Sequence, residues 1–449
     1  MSAHGKELAI LTFLEGFGVN IKIVLALTGV SIIAGILYIS DIQTSESLGF
    51  AFISAPVWLP LVTFFMFFDA WNDYVQKEYI LSFGRVSLEL KIPQEIFKSP
   101  QAMEMVLLQM NQSASPDNHK ETYFDGKHPP RFSLELVSRQ GDVRLYINVP
   151  RRRWKEMIET QLYAQYPGIE VAAQDIDYTA EFPWDPEKYI YFGFHYGTKK
   201  DNAYPIKTYV DFGLDTMPKE EEKVDPMTSM LEMLGSIGPG ENLWIQIIIK
   251  VHKAYDFKTA SLTKTSTWEG DARKIIKEII EKANERVGIK PNVEGQRLSM
   301  MNVSDTEKDT IKSIERSLAK SAFEVAIRSM YIATPDKFRI GDRAPQMITA
   351  WRPYEDLNRN AISVRWRTDY DWNWWQDPSG HRRAHLKYAE LDEYKRRAYD
   401  PKSHLDPWKI MTTEELATIF HIPGKVALTP SLARIPSKRT EAPSNLPVG

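Results

Sequence analysis

The chain has 449 residues, a formal net charge of -3 and no cysteine. That length allows two or three domains. Zero cysteine excludes disulfides, thiolate metal sites and a cysteine nucleophile, and the near-neutral balance argues against a protein built mainly to coat nucleic acid.

Two apolar runs open the chain, Ile23–Ile39 and Leu48–Phe68. Each is roughly 17 to 21 residues, the length that spans a bilayer core. Gly29 and Gly35 in the first would let helices approach closely, and Pro56 and Pro60 in the second are tolerable in a membrane helix. The link Ser40–Ser47 holds Asp41 and Glu46 but no Lys or Arg, whereas the flanks hold Lys6, Lys22, Lys77 and Arg85. The positive-inside rule then places both flanks in the cytoplasm. The expectation is a transmembrane hairpin over residues 1–75, with spans at about 22–40 and 48–68, anchoring cytoplasmic domains to the lipid bilayer. A buried hairpin of a soluble protein is the alternative. A cleavable signal peptide fits less well, because a second run follows.

Residues 80–180 read as one α+β domain. Val86, Leu88, Leu90 and Ile92 alternate as in a half-buried strand. Ser99-Pro100 opens a helix through Met110, and the polar stretch Ser113–Pro130 reads as a loop. Two alternating runs, Phe132–Leu136 and Val143–Val149, flank a turn at Gln140-Gly141-Asp142. A helix with Trp154, Ile158 and Leu162 follows, then a strand from Ile169 to Ala173. The order β-α-β-β-α-β is the ferredoxin-like, or split βαβ, arrangement.

Residues 185–425 read as a second, elaborated α+β sandwich. Strands are expected at Tyr189–Tyr196, Ile206–Phe212, Leu243–Val251, Phe323–Ala333 and Ala361–Arg367. Helices are expected from Asp225-Pro226 through Leu234, over Asp271–Val287 and Ser304–Lys320, and at Ala344–Trp351. Thr412-Thr413-Glu414-Glu415 has the pattern of a capped helix start. Residues 426–449 hold Pro430, Pro436, Pro443 and Pro447, which favours an extended arm.

Catalytic signatures are scarce. No G-x-x-x-x-G-K-[ST] and no H-E-x-x-H occurs. His381 and His385 stand four apart, but among Arg382, Arg383 and Lys387, a setting that disfavours a metal cation. No cofactor or metal site is therefore expected, and nothing argues for an enzyme. The basic and aromatic stretches carry more signal: Arg151, Arg152 and Arg153 before Trp154, and Arg365, Trp366, Arg367, Trp374, Trp375, Arg382 and Arg383 further on. Interleaved Arg and Trp could grip single-stranded nucleic acid, form an interface hot spot, or cover a core beside a solvated basic helix. Asp369, Asp371 and Asp377 dilute the first reading.

Several phrases together resemble a known family: Gln161–Pro167, Asn202–Tyr209, Gly240–Gln246, Phe323–Arg328 and Glu415–Gly424. They are similar to those of membrane-anchored proteins found with type IV secretion-like DNA-transfer ATPases, notably in candidate-phyla bacteria. In longer relatives a phrase like Ala442–Pro447 lies just before an FtsK/HerA-type motor domain, whereas this chain stops at Gly449. The resemblance implies a non-catalytic scaffold or coupling subunit of a DNA-transfer or secretion apparatus, held at the bacterial cytoplasmic membrane. It would dock a separately encoded hexameric ATPase, itself forming a homo-oligomer. The docking candidates are His421, Pro423 and Gly424 with Arg434, Pro443, Asn445, Leu446 and Pro447. A membrane-tethered protein that binds single-stranded nucleic acid is the rival reading.

Overall fold

The computed structural model describes residues 44–93, 98–112, 116–216, 224–253, 267–288, 300–369, 375–399, 407–424 and 434–435. The chain divides into two compact units, residues 1–79 with 123–126, and residues 80–122 with 127–449.

In the first unit the second apolar run lies within one helix, α1 (Thr44–Ser82). No helix among the described residues is long and apolar enough to cross a membrane. This corrects the expected transmembrane hairpin, and with it the bilayer as partner and the two-span location. The helix that forms contains Pro56 and Pro60, and its apolar run continues into Asn72, Asp73, Gln76, Lys77 and Glu78. The first run, Ile23–Ile39, lies outside the described residues. Trp71 Nε1 donates to the Tyr123 carbonyl at 2.6 Å, and its ring stacks on Phe67 and meets Phe124 edge-on. Residues 123–126 thus hold the buried side of α1 that carries Asn72 and Val75.

The second unit is α+β, built on one wide antiparallel sheet. Its first part comprises β1 (Arg85–Pro93), α2 (Gln101–Met110), β2 (Arg131–Arg139), β3 (Asp142–Pro150), α4 (Arg151–Gln165) and β4 (Glu170–Gln174). The short helix α3 (His119–Tyr123) falls in the stretch expected to be loop. These strands stand in the order β4-β1-β3-β2. A second part follows: β5 (Ile190–Thr198), α5 (Met227–Gly235), β6 (Glu241–Val251), β7 (Ala322–Ala333), α8 (Ile340–Thr349) and β8 (Ile362–Arg367). Its order is β6-β7-β5-β8, the first order reversed. Two helices, α6 (Trp268–Glu285) and α7 (Asp305–Leu318), are inserted between β6 and β7. Edge strands β2 and β6 pair antiparallel from Arg131↔Lys250 to Arg139↔Asn242, so the two expected sandwiches share a single sheet.

The remaining elements are α9 (His381–Arg396), β9 (Lys409–Thr412), which pairs with β7, and α10 (Thr413–Ile419). The two-residue strand β10 (Arg434–Ile435) runs parallel to β1 at Ile92 and Pro93. Alternation sends Leu88, Leu134, Ile147, Ile247 and Val325 to one face of the sheet. There α2, α4, α5 and α10 cover them with Leu107, Ile158, Leu231 and Leu416. The opposite face carries Val137, Tyr146, Trp244 and Met330, packed under Tyr178, Phe182, Leu391 and Tyr394.

Residues 206–212 form turns rather than the expected strand. The reason is where their backbone amides go. Ile206 N donates to Glu415, Thr208 N to Asp211 and Tyr209 N to the Thr418 hydroxyl. With those donors taken, no ladder can run through the segment.

Gly126 gives the first unit a direct test. Its φ is +64°, and an added Cβ would lie 2.2 Å from the Val75 carbonyl oxygen. Gly126→Ala is expected to cost more than about 1 kcal/mol, read as a lower midpoint in chemical denaturation. An unchanged midpoint would contradict the packing of residues 123–126 on α1.

Candidate functional site

Most strands carry one conspicuous polar residue within an apolar run, and the register brings these into line. Glu89 faces Tyr146, Tyr146 faces Glu135, and Glu135 faces Gln246. Gln246 then faces Arg328, Arg328 faces His195, and His195 faces Trp366. The row crosses the sheet from β1 to β8 on the face under α9. Glu135, Gln246, Arg328 and His195 are at most 1% exposed, so this is no solvated surface.

The row is wired together. Gln246 Nε2 donates to Glu135 at 2.9 Å, and Gln246 Oε1 accepts from Arg328 Nη2 at 2.6 Å. Arg328 also donates to the Glu393 carbonyl at 2.8 Å and pairs with Glu390 at 3.7 Å. His195 Nε2 meets Glu390 at 2.8 Å. Gly193 admits this contact, since a Cβ there would lie 3.0 Å from Glu390 Cγ.

At the other end of α9, Arg397 grips Glu135 with both Nε and Nη2, at 2.9 and 3.1 Å, and reaches Asp177 at 2.7 Å. Arg397 sits at φ +51°, the left-handed helix end where glycine is favoured. The side chain explains the exception, because glycine would leave Glu135 without its cation. Burial opposes the charge on Arg397, but Glu135 more than offsets it and the pKa rises. Arg85, linked through Asn148, Ser87 and Asp177, is instead pulled down to about 9 by burial and then by Arg397. Burial and then Glu135 push the Tyr178 and Tyr394 phenols well up, so both stay neutral donors. Acids, a histidine and phenols are therefore present, but they are spent on one another beneath α9. The arrangement clamps α9 to the sheet. Among the described residues no cluster could hold a metal ion.

The Arg and Trp residues singled out in the sequence do not form one surface. Arg151 and Arg153 are exposed in the first turn of α4, with the Arg153 guanidinium 5.8 Å from the Trp154 ring. Arg152 is in the same turn. Five strand spacings, about 24 Å, separate β3 from β8. In β8 a bulge makes Arg365 the extra residue between Trp366↔His195 and Val364↔Tyr196. The bulge turns Trp366 inward onto His195, ring centroids 4.7 Å apart. Arg365 and Arg367 stay exposed on this edge strand, where cations and bulges also discourage pairing with another sheet. Trp375 is half-exposed, and Arg383 is exposed at the start of α9 beside the partly buried Arg382. Trp374 lies outside the described residues.

The docking candidates divide similarly. His421 and Pro423 are buried and Gly424 is partly buried. Arg434 belongs to β10, and Pro443, Asn445, Leu446 and Pro447 lie outside the described residues. His421 Nε2 meets Asp225 at 3.0 Å and Nδ1 meets the Ala417 carbonyl at 3.0 Å. Burial works against the imidazolium, but Asp225 outweighs it, so the His421 pKa rises. All of α10 is buried. Its start is held by the capping box of Thr412 and Glu415, by Thr413 donating to Glu104 at 3.0 Å, and by Glu414 paired with Arg316 at 3.0 Å. Burial pushes the Glu415 carboxyl up to about 7, against the amides of Thr412 and Ile206.

The fold defines an α+β protein with a row of ionisable groups buried across one face of its sheet and hydrogen-bonded to one another. The family model of a domain of unknown function, DUF8128, matches residues 118–434. The chain belongs to that family. Comparison with curated proteins gives no match.

Two measurements check these assignments. Arg397→Gly suits the backbone yet strands Glu135, so it is expected to destabilise by about 2–4 kcal/mol; a stabilised variant in urea denaturation would refute the clamp. The second concerns pH. The folded pKa of Glu415 lies above its ordinary 4.5, so the folded state holds that proton more tightly. The stabilising contribution is complete below 4.5 and is lost as pH rises through about 7. Glu415→Gln should flatten the slope of stability across that window, and an unchanged slope would remove Glu415 as its source.

Proposed function

We propose that this chain is a non-catalytic docking subunit that couples an FtsK/HerA-type ATPase to a type IV secretion-like DNA-transfer apparatus. The observation that carries the reading is the fixed root of the C-terminal segment. A docking arm transmits force only if its base does not move with it. Here α10 is wholly buried, capped at one end by Glu415 and held at the other by the His421–Asp225 pair. Helices α2 and α7 and the 206–212 turns all reach it, through Glu104, Arg316 and Thr208. His421 and Pro423 act in this reading as the base of the arm, and the contact with the motor falls to the residues beyond Gly424.

The closed polar row supports the non-catalytic part, because its acids and its histidine are engaged with one another. The phrases shared with the DNA-transfer family, Glu415–Gly424 among them, supply the identity of the partner. A homo-oligomeric ring would match the symmetry of a hexameric motor.

The test is a crosslinked capture from native cells with the full chain and with a chain cut after residue 425. The full chain is expected to retain an ATPase carrying a Walker motif, and the cut chain to lose it. Equal capture by both would move the docking surface off the arm, and no ATPase with either would overturn the proposal.

A further inference from the structure

We infer that the pairing of β10 with β1 is an autoinhibitory latch: the chain holds part of its own motor-docking segment, and the motor engages that segment once it leaves the sheet. This rests on the docking reading above and concerns the regulation of the same segment. In that reading the motor contact falls to the residues beyond Gly424. Arg434 and Ile435 are among those residues, yet they lie in parallel register with Ile92 and Pro93 of the chain's own sheet. Backbone groups paired with β1 are not open to a partner that takes the segment as a strand. The two contacts therefore exclude each other.

The pairing is built to open. Permanent partners in this sheet run long: β1 and β3 pair from Arg85↔Pro150 to Leu90↔Leu145, and β2 and β6 from Arg131↔Lys250 to Arg139↔Asn242. The β1–β10 pairing holds only Ile92↔Arg434 and Pro93↔Ile435, and proline stands at its end on both sides. Pro93 closes β1, and Pro436 follows Ile435 in the sequence. Proline has no N–H to give a ladder. The ladder thus loses a donor at its last pair on β1 and at the next position after β10, and zipping stops there. The socket itself is fixed. Ile92 and Pro93 are buried, and Gly168, just before β4, lies so close that an added Cβ would be 3.8 Å from Pro93 Cγ. A short contact at a fixed socket holds the segment at rest and yields to a partner that competes for it.

The experiment locks the latch. The chain has no cysteine, so Ile92→Cys with Arg434→Cys, at positions that face each other in register, leaves a single possible intrachain disulfide. The full chain with both substitutions is oxidised with copper phenanthroline or kept reduced, checked for its fold by circular dichroism, and used for crosslinked capture from native cells. The reduced form is expected to retain the Walker-motif ATPase, and the oxidised form at least about fivefold less of it, because the lock depletes the competent population. Ile435→Pro, which removes a further ladder donor, should capture at least as much as the unmodified chain. Equal capture by the oxidised and reduced forms, or lower capture by Ile435→Pro, would overturn the latch and leave the docking reading standing. Disulfides between chains, or none within the chain, would overturn it too, since the segment would then not rest on its own β1. No ATPase with the unmodified chain would overturn the docking reading, and the latch with it.

Discussion

The bidentate contact between Glu135 and Arg397 constrains everything on the polar face of the sheet. A strand displaced by one residue sends its whole polar set to the other face. Here that would drive Glu135, Gln246 or Arg328 among Leu134, Ile247 and Ile327, where none of them has a partner. A buried ion pair adds little net stability over a well-packed apolar pair, yet leaving one partner alone is severely unfavourable. The row therefore acts chiefly as a register device. It also crosses the β2–β6 join, so the same bonds that fix each part of the sheet bind the two parts together.

Helix α9 has two roles on two sides. Glu390, the Glu393 carbonyl, Tyr394 and Arg397 follow one another at helical spacing along its inner side. His381, Arg383, His385 and Arg396 lie exposed. The element that seals the polar row thus turns basic side chains to solvent. On the opposite face of the sheet α10 is sealed in, and its ends carry the charged contacts that tie α2, α7 and the 206–212 turns to the C-terminal segment. One face of the sheet holds a display helix and the other holds an anchor.

Much of the element content was legible, for a physical reason. Val86–Ile92 alternates apolar residues, and Leu243–Val251, buried on both faces, is a near-continuous apolar run, so both patterns record the strand directly. The helix with Trp154, Ile158 and Leu162, and the capping box at Thr412, also left local signatures. The joining of β2 to β6 left none, because edge pairing is made by backbone groups that every residue carries. The polar row was visible only as single residues, Glu135 within Leu-Glu-Leu or Gln246 within Ile-Gln-Ile, which read singly as a solvated side. Their common register was the missed signal. Arg397 was misleading for the same reason: beside Lys395 and Arg396 it looks like one more surface cation, and only the left-handed end of α9 turns it inward. The apolar run at Leu48–Phe68 misled in the other direction. Its length matched a membrane span, but the helix that contains it extends into Asp73, Lys77 and Glu78.

The order in which the strands appear along the chain has a consequence for synthesis. When β4 leaves the ribosome, β1 to β4 can already assemble, yet β2 then ends the sheet as a bare edge of nine residues. Its permanent neighbour β6 begins about 70 residues after β4, several seconds at ordinary elongation rates. Glu135 waits longer, since Arg397 emerges after nearly the whole sheet. The nascent chain thus passes through an interval in which an apolar strand edge and an unmatched acid are both open. A fragment ending near residue 180 would keep that edge open permanently.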